Sequence, residues 1–167
     1  MVKNGGKRVT FQIDKEKNFS EWFSEIIEKA ELADLRYNVK GFVVFRPWSV
    51  LVMEAMYRAL EEELQRKGHL PAWFPSLIPK ENLHKETEHV QGFVPEVFWV
   101  DRAADKHLDV ELALRPTGET AIYPMYNIWI RGHNDLPLKM YQRTQVRRYE
   151  TKATRPFIRS REFFWIE

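Results

Sequence analysis

The sequence predicts an α+β fold in which antiparallel strands lie among a few helices. Apolar residues recur at helical spacing in the first half of the chain, and short β-prone runs dominate the second half. Helices and strands do not alternate in the βαβ order that builds a parallel sheet. The 167 residues, 44% of them hydrophobic and 30% charged, suffice for one folded core and argue against a disordered chain.

The chain begins with a predicted flexible arm, residues 1–18, which is polar and contains glycine. A helix is expected after the arm, to about Ala33, because apolar residues then recur at helical spacing. Asn18 or Ser20 is expected to cap this helix, since either side chain accepts a hydrogen bond from a free backbone N–H of the first turn.

The next predicted elements are a short buried strand at 41–45 and the clearest helix of the chain at 49–67. Gly68 stands directly after this helix, where glycine commonly adopts the left-handed conformation that ends helices. A strand is expected over 72–78, and Pro75 restricts it to a sheet edge or a bulge, because proline donates no ladder hydrogen bond. One stripe of the helix, apolar except for Glu63, is marked by Val52, Ala55, Met56, Ala59, Leu60, Glu63 and Leu64.

The second half of the chain predicts a short charged helix at 80–89 and strands at 97–101 and 110–114. Thr117 is expected to be the N-cap of a further helix that reaches about Arg131. An acidic residue in the first turn of that helix would complement the positive end of the helix dipole.

Two last strands, near 138–149 and 162–167, are predicted on either side of a basic loop. Residues 143–161 carry seven Arg or Lys against one acidic residue, Glu150, although the whole chain has a formal net charge of only +2. Such a local basic patch indicates phosphate groups or an RNA backbone as ligands.

Composition argues against several classes of protein. The chain has no cysteine, so a disulfide framework and a thiolate metal site are excluded. No apolar run approaches about 18 residues, so we expect no membrane-spanning segment. The first ten residues lack the apolar region of a secretory signal, so we expect a cytoplasmic protein. The five histidines show no metal-ligand spacing, and we expect no protein-bound metal.

Arg148 and Glu150 lie two positions apart at the end of a β-prone run, so both side chains are expected on one face of a strand. An arginine fork binds phosphate oxygens, and a carboxylate accepts a hydrogen bond from an adenine amino group. The pair therefore predicts a site that handles ATP. An ordinary ion pair between the two side chains is the alternative interpretation.

Several segments resemble the catalytic domain of prolyl-tRNA synthetase, a class II aminoacyl-tRNA synthetase, most clearly its archaeal and eukaryotic branch. The segments with the strongest resemblance are LRPTGE (114–119), VRRYE (146–150) and RPFIRSREFFWIE (155–167). The upstream segments that agree in order and spacing are FSEWFSEIIEKAELAD (19–34), GHLPAWFPSLIP (68–79) and KETEHVQGFVPEVFWV (85–100).

This resemblance implies an antiparallel sheet flanked by helices, with the family's motif 1 around Pro75 and its motif 2 in the hairpin that begins at VRRYE. Residues 19–167 would form a partial catalytic domain that stops after motif 2. Motif 3 and the anticodon-binding domain are therefore expected to be missing from this chain.

The resemblance also implies a site for proline and a site for ATP. Arg148 would be the catalytic residue, in contact with both the α-phosphate and the substrate carboxylate. The oxygens of Thr117 and Glu119 would accept the two N–H groups of proline. Gly118 stands where the family usually has serine. The implied proline set is Thr117, Gly118, Glu119, Arg148, Phe93, Glu96 and Trp165, and the implied ATP set is Arg148, Glu150, Arg159 and Ser160.

By the same resemblance, the substrates are L-proline, ATP and tRNA(Pro), Mg²⁺ arrives with ATP, and a homodimer forms through the motif 1 region. The implied function is that of a proline–tRNA ligase.

Two alternatives stay open. One is a non-catalytic synthetase-like module that binds RNA or a protein partner, and the other is a ligase for another amino acid such as threonine. Structural roles alone are also open for Thr117 as a helix cap and for Glu119 at the helix dipole.

Overall fold

The computed structural model describes residues 10–87, 96–149 and 156–167. The chain divides into two units, Met1–Ala59 and Leu60–Glu167, each with its own secondary structure. Among the described helices, none combines the length and the apolar character needed to cross a membrane.

The first helix, α1, spans Phe19–Lys29 and is capped as the sequence predicts. The Asn18 side chain accepts a hydrogen bond from the Glu21 backbone N–H at 3.4 Å. The helix ends before the expected Ala33, because the backbone turns at Glu31, where φ is 53°. This left-handed conformation is incompatible with a continuing right-handed helix.

The described part of the N-terminal arm is hydrogen-bonded to α1. The Glu25 carboxylate accepts from the backbone N–H of Gln12 at 2.9 Å and from that of Ile13 at 3.0 Å. One turn further along the helix, the Lys29 ammonium donates to the Thr10 carbonyl at 2.8 Å. These bonds attach the end of the arm to the helix that follows it.

Two very short strands complete the secondary structure before the long helix. β1 (Ala33–Asp34) and β2 (Val44–Phe45) pair in an antiparallel arrangement. The second strand is shorter than predicted because Gly41 adopts a φ of 85° and belongs to the preceding turn. The Arg46 N–H donates to the Leu32 carbonyl at 2.9 Å, which extends the contact between the two segments.

The long helix α2 spans Pro47–Arg66 and confirms the strongest helix prediction. Gly68 follows it with a φ of 82°, in the left-handed region. The Gly68 N–H donates to the Gln65 carbonyl at 2.9 Å. The next N–H, that of His69, donates to the Leu64 carbonyl at 3.0 Å, which completes the Schellman pattern of a glycine-terminated helix.

The apolar stripe of α2 is exposed. Met56 is 68% exposed, Val52 is 53% exposed and Leu60 is 46% exposed. Leu51 and Trp48, at nearby positions of the same helix, are 64% and 66% exposed. These side chains therefore do not form a core among the described residues, and an apolar surface of this kind is typical of an interaction site.

A three-stranded antiparallel sheet in the order β4–β6–β5 forms the centre of the second unit. β4 spans Leu77–Pro79, β5 spans Phe98–Ala103 and β6 spans Lys106–Leu114. The last two strands form a hairpin that turns at Ala104, where φ is 51°. Both are longer than the apolar runs that predicted them, because the charged end of the hairpin also pairs through its backbone.

The core of this unit lies between the sheet and two helices. α3 spans Lys80–Thr87, as the charged pattern predicts, and α4 spans Glu119–Trp129. Leu83 of α3 and Ala121 of α4 both contact this core. Its buried members are Ile78, Leu83, Val97 and Ala113.

The N-cap of α4 is Gly118, so the prediction of Thr117 as the cap is wrong. The Thr117 hydroxyl donates to the carboxylate of Glu119, the first helical residue, and is therefore engaged with a side chain. Pro124 lies inside the helix, where it provides no N–H for the carbonyl of Thr120.

The strand predicted over 72–78 is wrong over most of its length. Only β3 (Leu70–Pro71) and β4 form strands in this region, and β3 pairs in parallel with β7 (Met140–Tyr141). Between them, several backbone groups bond to side chains instead. The Phe74 N–H, for example, donates to Oε1 of the buried Gln142 at 3.2 Å.

The last two strands form the hairpin predicted on either side of the basic loop. β8 (Arg143–Arg147) and β9 (Glu162–Ile166) are antiparallel, and Val146 is paired with Phe163. Because Val146 is fully buried, one face of the hairpin is turned into the protein. With its helices and antiparallel sheets, the chain confirms the predicted α+β class.

Candidate active site

Arg148 lies at the end of β8, on the hairpin face that also carries two aromatic rings. Its backbone N–H donates to the Arg161 carbonyl at 2.9 Å, which extends the hairpin ladder by one residue. Its guanidinium carbon lies 5.3 Å from the centre of the Trp165 ring and 5.7 Å from that of Phe163. Such distances allow a cation–π attraction, which holds the charged group against the Phe163 and Trp165 rings. These two rings form the aromatic wall of the site.

The same guanidinium is anchored to the loop before α4. The Arg148 Nε donates to the Pro116 carbonyl at 2.9 Å. Thr117 and Gly118 follow directly, so this bond brings the loop and the arginine together. With Nε held, the plane of the guanidinium is defined, and its two terminal nitrogens form the fork that can serve two anionic acceptors.

The loop itself is held by side chains on both sides of Gly118. The Thr117 hydroxyl donates to Glu119, and the Thr120 hydroxyl donates back to the Thr117 carbonyl at 3.0 Å. Gly118 is buried, and its N–H donates to Oε2 of Glu167 at 3.0 Å. The oxygens of Thr117 and Glu119 therefore occupy a well-defined position at the N-terminus of α4.

Gly118 leaves room for the Glu167 carboxylate. Its φ is −82°, which any residue can adopt, so backbone conformation does not explain the glycine. A Cβ at this position would lie 1.8 Å from Oε1 of Glu167. A serine here would displace that carboxylate, and the glycine accommodates it.

Glu167 joins the site from the end of β9, and the implied proline and ATP sets do not include it. Its Oε1 accepts a hydrogen bond from Nε2 of Gln142 at 2.6 Å. Burial raises the pKa of Glu167 above its ordinary value, against the lowering effect of the bonds from Gly118 and Gln142, while the nearby Glu119 raises it further. One sequence signal was available: Glu167 lies two positions after Trp165, so strand alternation places both on the same face.

Arg115 is a second residue that the implied proline and ATP sets do not include. It is only 1% exposed, and its Nη1 donates to the Phe74 carbonyl at 2.8 Å and to the Pro75 carbonyl at 3.0 Å. Its Nε donates to the Gln145 carbonyl at 3.3 Å. Burial lowers the pKa of Arg115, and the charge of Glu167 opposes this effect. Arg115 therefore ties the irregular segment between β3 and β4, residues 72–76, to β8. It lies directly before the loop that carries Thr117 and Gly118, here called the candidate loop.

Trp165 contributes a buried donor to the same region. Within the described part of the chain its Nε1 is buried and has no hydrogen-bond acceptor. A buried N–H without a partner costs free energy, and an acceptor atom on a ligand would remove that cost. The indole N–H beside Arg148 is therefore a donor that has no acceptor among the described residues.

Known proteins resemble this chain in sequence. Residues 98–167 match the family described as tRNA synthetase class II core domain (G, H, P, S and T). A proline–tRNA ligase from Thermofilum pendens is 57% identical over 155 residues, which is 93% of this chain and 32% of that protein. A proline–tRNA ligase from Pyrococcus abyssi is 52% identical over 146 residues, which is 87% of this chain and 30% of that protein.

Solved structures are similar as well. The prolyl-tRNA synthetase of Giardia lamblia in complex with prolyl-adenylate has a TM-score of 0.88 and 46% identity, covering 94% of this chain and 32% of that chain. That of Cryptosporidium parvum, complexed with halofuginone and AMPPNP, has a TM-score of 0.85 and 36% identity, covering 99% of this chain and 32% of that chain.

This chain is related to the prolyl-tRNA synthetases. The class II core fold and the family resemblance predicted from the sequence are both confirmed. The chain spans about a third of the length of the curated relatives it matches, 32% of one and 30% of another.

The structure describes most, but not all, of the residues that the prolyl-tRNA synthetase resemblance assigns to proline. Thr117, Gly118, Glu119, Arg148 and Trp165 come together as described above. Phe93 lies outside the described residues. Glu96 is exposed just before β5, and its carbonyl accepts from the Tyr149 N–H at 2.9 Å, which ties it to the residue after Arg148.

The residues that the same family resemblance assigns to ATP are more scattered. Arg159 is exposed in the turn that precedes β9, and the Ser160 hydroxyl donates to the Glu162 carbonyl. Glu150 lies outside the described residues. Arg147 faces the opposite side of the hairpin from Arg148, as alternation predicts, and forms an ion pair with Glu162 at 2.5 Å.

The described residues contain no group of three or more His, Asp or Glu side chains that could hold a metal ion.

Proposed function

We propose that the protein containing this chain is a proline–tRNA ligase and that the chain provides the site where proline and ATP meet. The named relatives are proline–tRNA ligases, and one similar structure is a complex with prolyl-adenylate. The placement of Arg148 is the observation that supports the proposal most. Its guanidinium stands against the Trp165 wall and is bonded to the loop that carries Thr117 and Glu119.

The first step joins two anions, which is why the arginine matters. A carboxylate oxygen of proline attacks the α-phosphorus of ATP, the bond from that phosphorus to the bridging oxygen breaks, and pyrophosphate leaves with the electron pair. Two unit charges about 4 Å apart repel by roughly 4 kcal/mol at an effective dielectric near 20. A guanidinium that contacts both groups offsets this repulsion and orients them for attack.

The second step transfers the prolyl group. A terminal ribose hydroxyl of tRNA attacks the acyl carbon of prolyl-adenylate, and AMP leaves with the oxygen that linked it to the acyl group. No protein nucleophile takes part in either step, so the chain acts by positioning its substrates and balancing their charge.

Recognition of proline is assigned to the loop before α4 and the aromatic wall. The ring nitrogen of proline carries two N–H donors, and the Thr117 hydroxyl oxygen and the Glu119 carboxylate are acceptors held side by side. The Trp165 ring suits the saturated ring of the substrate, and its buried indole N–H suits a substrate oxygen. Glu167 holds this loop through Gly118 and adds negative charge opposite a cationic substrate.

The remaining assignments follow the family resemblance. Glu150, Arg159 and Ser160 are proposed to contact ATP, with Mg²⁺ bound mainly by the phosphates, and Phe93 and Glu96 are proposed to complete the proline pocket. tRNA(Pro) is the proposed acceptor of the prolyl group. We also propose a cytoplasmic homodimer, in which the motif 1 region is the interface.

An ATP–pyrophosphate exchange assay tests this function. The complete protein encoded by the gene, and this chain alone, are assayed with proline, alanine, threonine or no amino acid. We expect exchange that depends on proline in the complete protein. Exchange with threonine alone would assign the site to another amino acid. No exchange in the complete protein would favour the alternative, a synthetase-like module that binds RNA or a protein partner.

A further inference from the structure

Pro124 interrupts the hydrogen bonding of α4, the helix that follows the candidate loop. Because this loop is proposed to bind proline, it is called the proline loop below. At this position of an α-helix the N–H would donate to the carbonyl of Thr120, and proline has none. Thr120 is only 2% exposed, so its carbonyl needs a donor from within the protein. The gap lies in the first turn of α4, one residue after Glu119.

Asn82 of α3 supplies the missing donor. Its Nδ2 donates to the Thr120 carbonyl at 3.1 Å. The neighbouring Leu83 is 3% exposed in the core that Ala121 of α4 also contacts. One polar bond and one apolar contact therefore attach α3 to the first turn of α4.

We infer that Asn82 is a positioning residue for the proline loop, acting through the carbonyl that Pro124 leaves free. The Thr120 hydroxyl donates to the Thr117 carbonyl at 3.0 Å, so the contact made by Asn82 continues into the loop. The inference rests on the proposed function, because it assigns Asn82 to the affinity for proline. Asn82 acts on the loop through the Thr120 carbonyl.

A double-mutant cycle tests the pairing itself. Asn82→Leu keeps the size of the side chain and removes its donor, and Pro124→Ala restores a backbone N–H for Thr120. We expect Asn82→Leu to lower the Tm by about 2–4 °C in the wild-type background. In the Pro124→Ala background we expect Asn82→Leu to lower the Tm by less than about 1 °C, because the Thr120 carbonyl then has a donor from its own helix. An equal loss in both backgrounds would overturn the pairing.

Ligand titration tests the positioning role in the same four proteins. L-proline and ATP are titrated separately into the isotope-labelled chain, with the Gly118 amide resonance as reporter. We expect Asn82→Leu to weaken proline binding roughly threefold to tenfold and to leave ATP binding unchanged, and we expect Pro124→Ala to restore it. Glu81→Ala, an exposed neighbour on α3, is the matched control and should change neither affinity.

The outcomes separate this inference from the proposed function. If the wild-type chain binds proline and Asn82→Leu binds it equally well, Asn82 is only a structural residue and the inference is wrong. If Asn82→Leu weakens proline and ATP binding to the same extent, a specific effect on the loop is also wrong. If the wild-type chain binds no proline, the proposed function fails for this chain and the positioning role fails with it, while the Tm cycle still decides the pairing.

Discussion

Arg148 differs from its neighbour Arg147 in the face of the strand from which it projects. The first lies over the aromatic rings of β9 and bonds to the Pro116 carbonyl, whereas the second forms an ion pair with Glu162. Adjacent arginines of equal charge therefore have different chemistry, since only one faces the candidate loop. A substitution that keeps the charge and removes the fork should distinguish them.

Arg148→Lys should abolish most of the activity. A lysine ammonium is a point charge that cannot serve two acceptors with parallel N–H groups, so we expect proline-dependent exchange in the complete protein to fall roughly 100-fold. Arg147→Lys is the matched control and should leave exchange nearly unchanged. Equal losses in the two variants would show that total charge, and not the position of Arg148, governs the reaction.

Gly118 is explained by crowding from Glu167. Gly118→Ala places a Cβ 1.8 Å from the position of the Glu167 carboxylate, which must then move and release the Gly118 N–H. We expect a loss of about 1–3 kcal/mol in the free energy of unfolding, measured by urea denaturation. In a Glu167→Ala background the same substitution should cost clearly less.

Gly132 provides the control for this prediction. A Cβ there would meet no atom within 4 Å, so Gly132→Ala should leave the stability nearly unchanged. A Gly118→Ala variant as stable as Gly132→Ala would contradict the crowding argument.

The pKa of Glu167 predicts how stability depends on pH. Burial raises this pKa, so the folded chain holds the proton more tightly than the unfolded chain. The stabilising contribution of the group is fully present below the ordinary pKa of 4.5 and is lost as the pH rises through the folded-state pKa. Urea denaturation at a series of pH values should show wild type losing stability relative to Glu167→Gln from pH 4.5 upward. If wild type keeps or gains stability relative to Glu167→Gln as the pH rises over this range, the assignment is contradicted.

At the scale of secondary-structure elements, Arg115 joins segments that are distant in the sequence. It binds the carbonyls of Phe74 and Pro75 on one side and that of Gln145 on the other. Removing the guanidinium would remove hydrogen bonds to three carbonyls. We therefore expect Arg115→Leu to lower the free energy of unfolding by about 3–5 kcal/mol.

Two further variants make this prediction specific. Arg115→Lys keeps one charged donor and should lose less stability than Arg115→Leu in the same denaturation experiment. Arg102→Leu, at an exposed position of β5, should change stability by less than about 0.5 kcal/mol. A similar loss in Arg115→Leu and Arg102→Leu would mean that the buried hydrogen bonds contribute little.

Elements with local signals could be predicted from the sequence. Asn18 caps α1 and Gly68 ends α2 because a cap depends on residues within one turn of it. The irregular segment around Phe74 could not be predicted, because its partners Arg115 and Gln142 are 41 and 68 positions away. An apolar run with β propensity looks like a strand until such distant side chains occupy its backbone.

At the scale of the whole molecule, the candidate site was predictable where short motifs determine it. Arg148 and Thr117 belong to such motifs, and the structure brings them together through Pro116. Glu167 and Arg115 were missed because their contacts depend on how the loop, the hairpin and the irregular segment pack together. Motifs indicate the chemistry of a site, whereas the residues that support it become visible only in the folded chain.

The exposed apolar stripe of α2 carries the remaining prediction, that of a homodimer. Met56 is 68% exposed and Leu51 is 64% exposed on this helix. Large apolar side chains at such exposure are costly in water and favour association of two copies through the same surface. We expect sedimentation velocity to find a dimer of the complete protein, and Met56→Glu to convert it to a monomer with unchanged helix content. Arg58→Glu places the same side chain about 200° around the helix and should leave the dimer intact. A wild-type monomer at all concentrations would exclude this surface as the interface, and so would equal dissociation of the dimer by both variants.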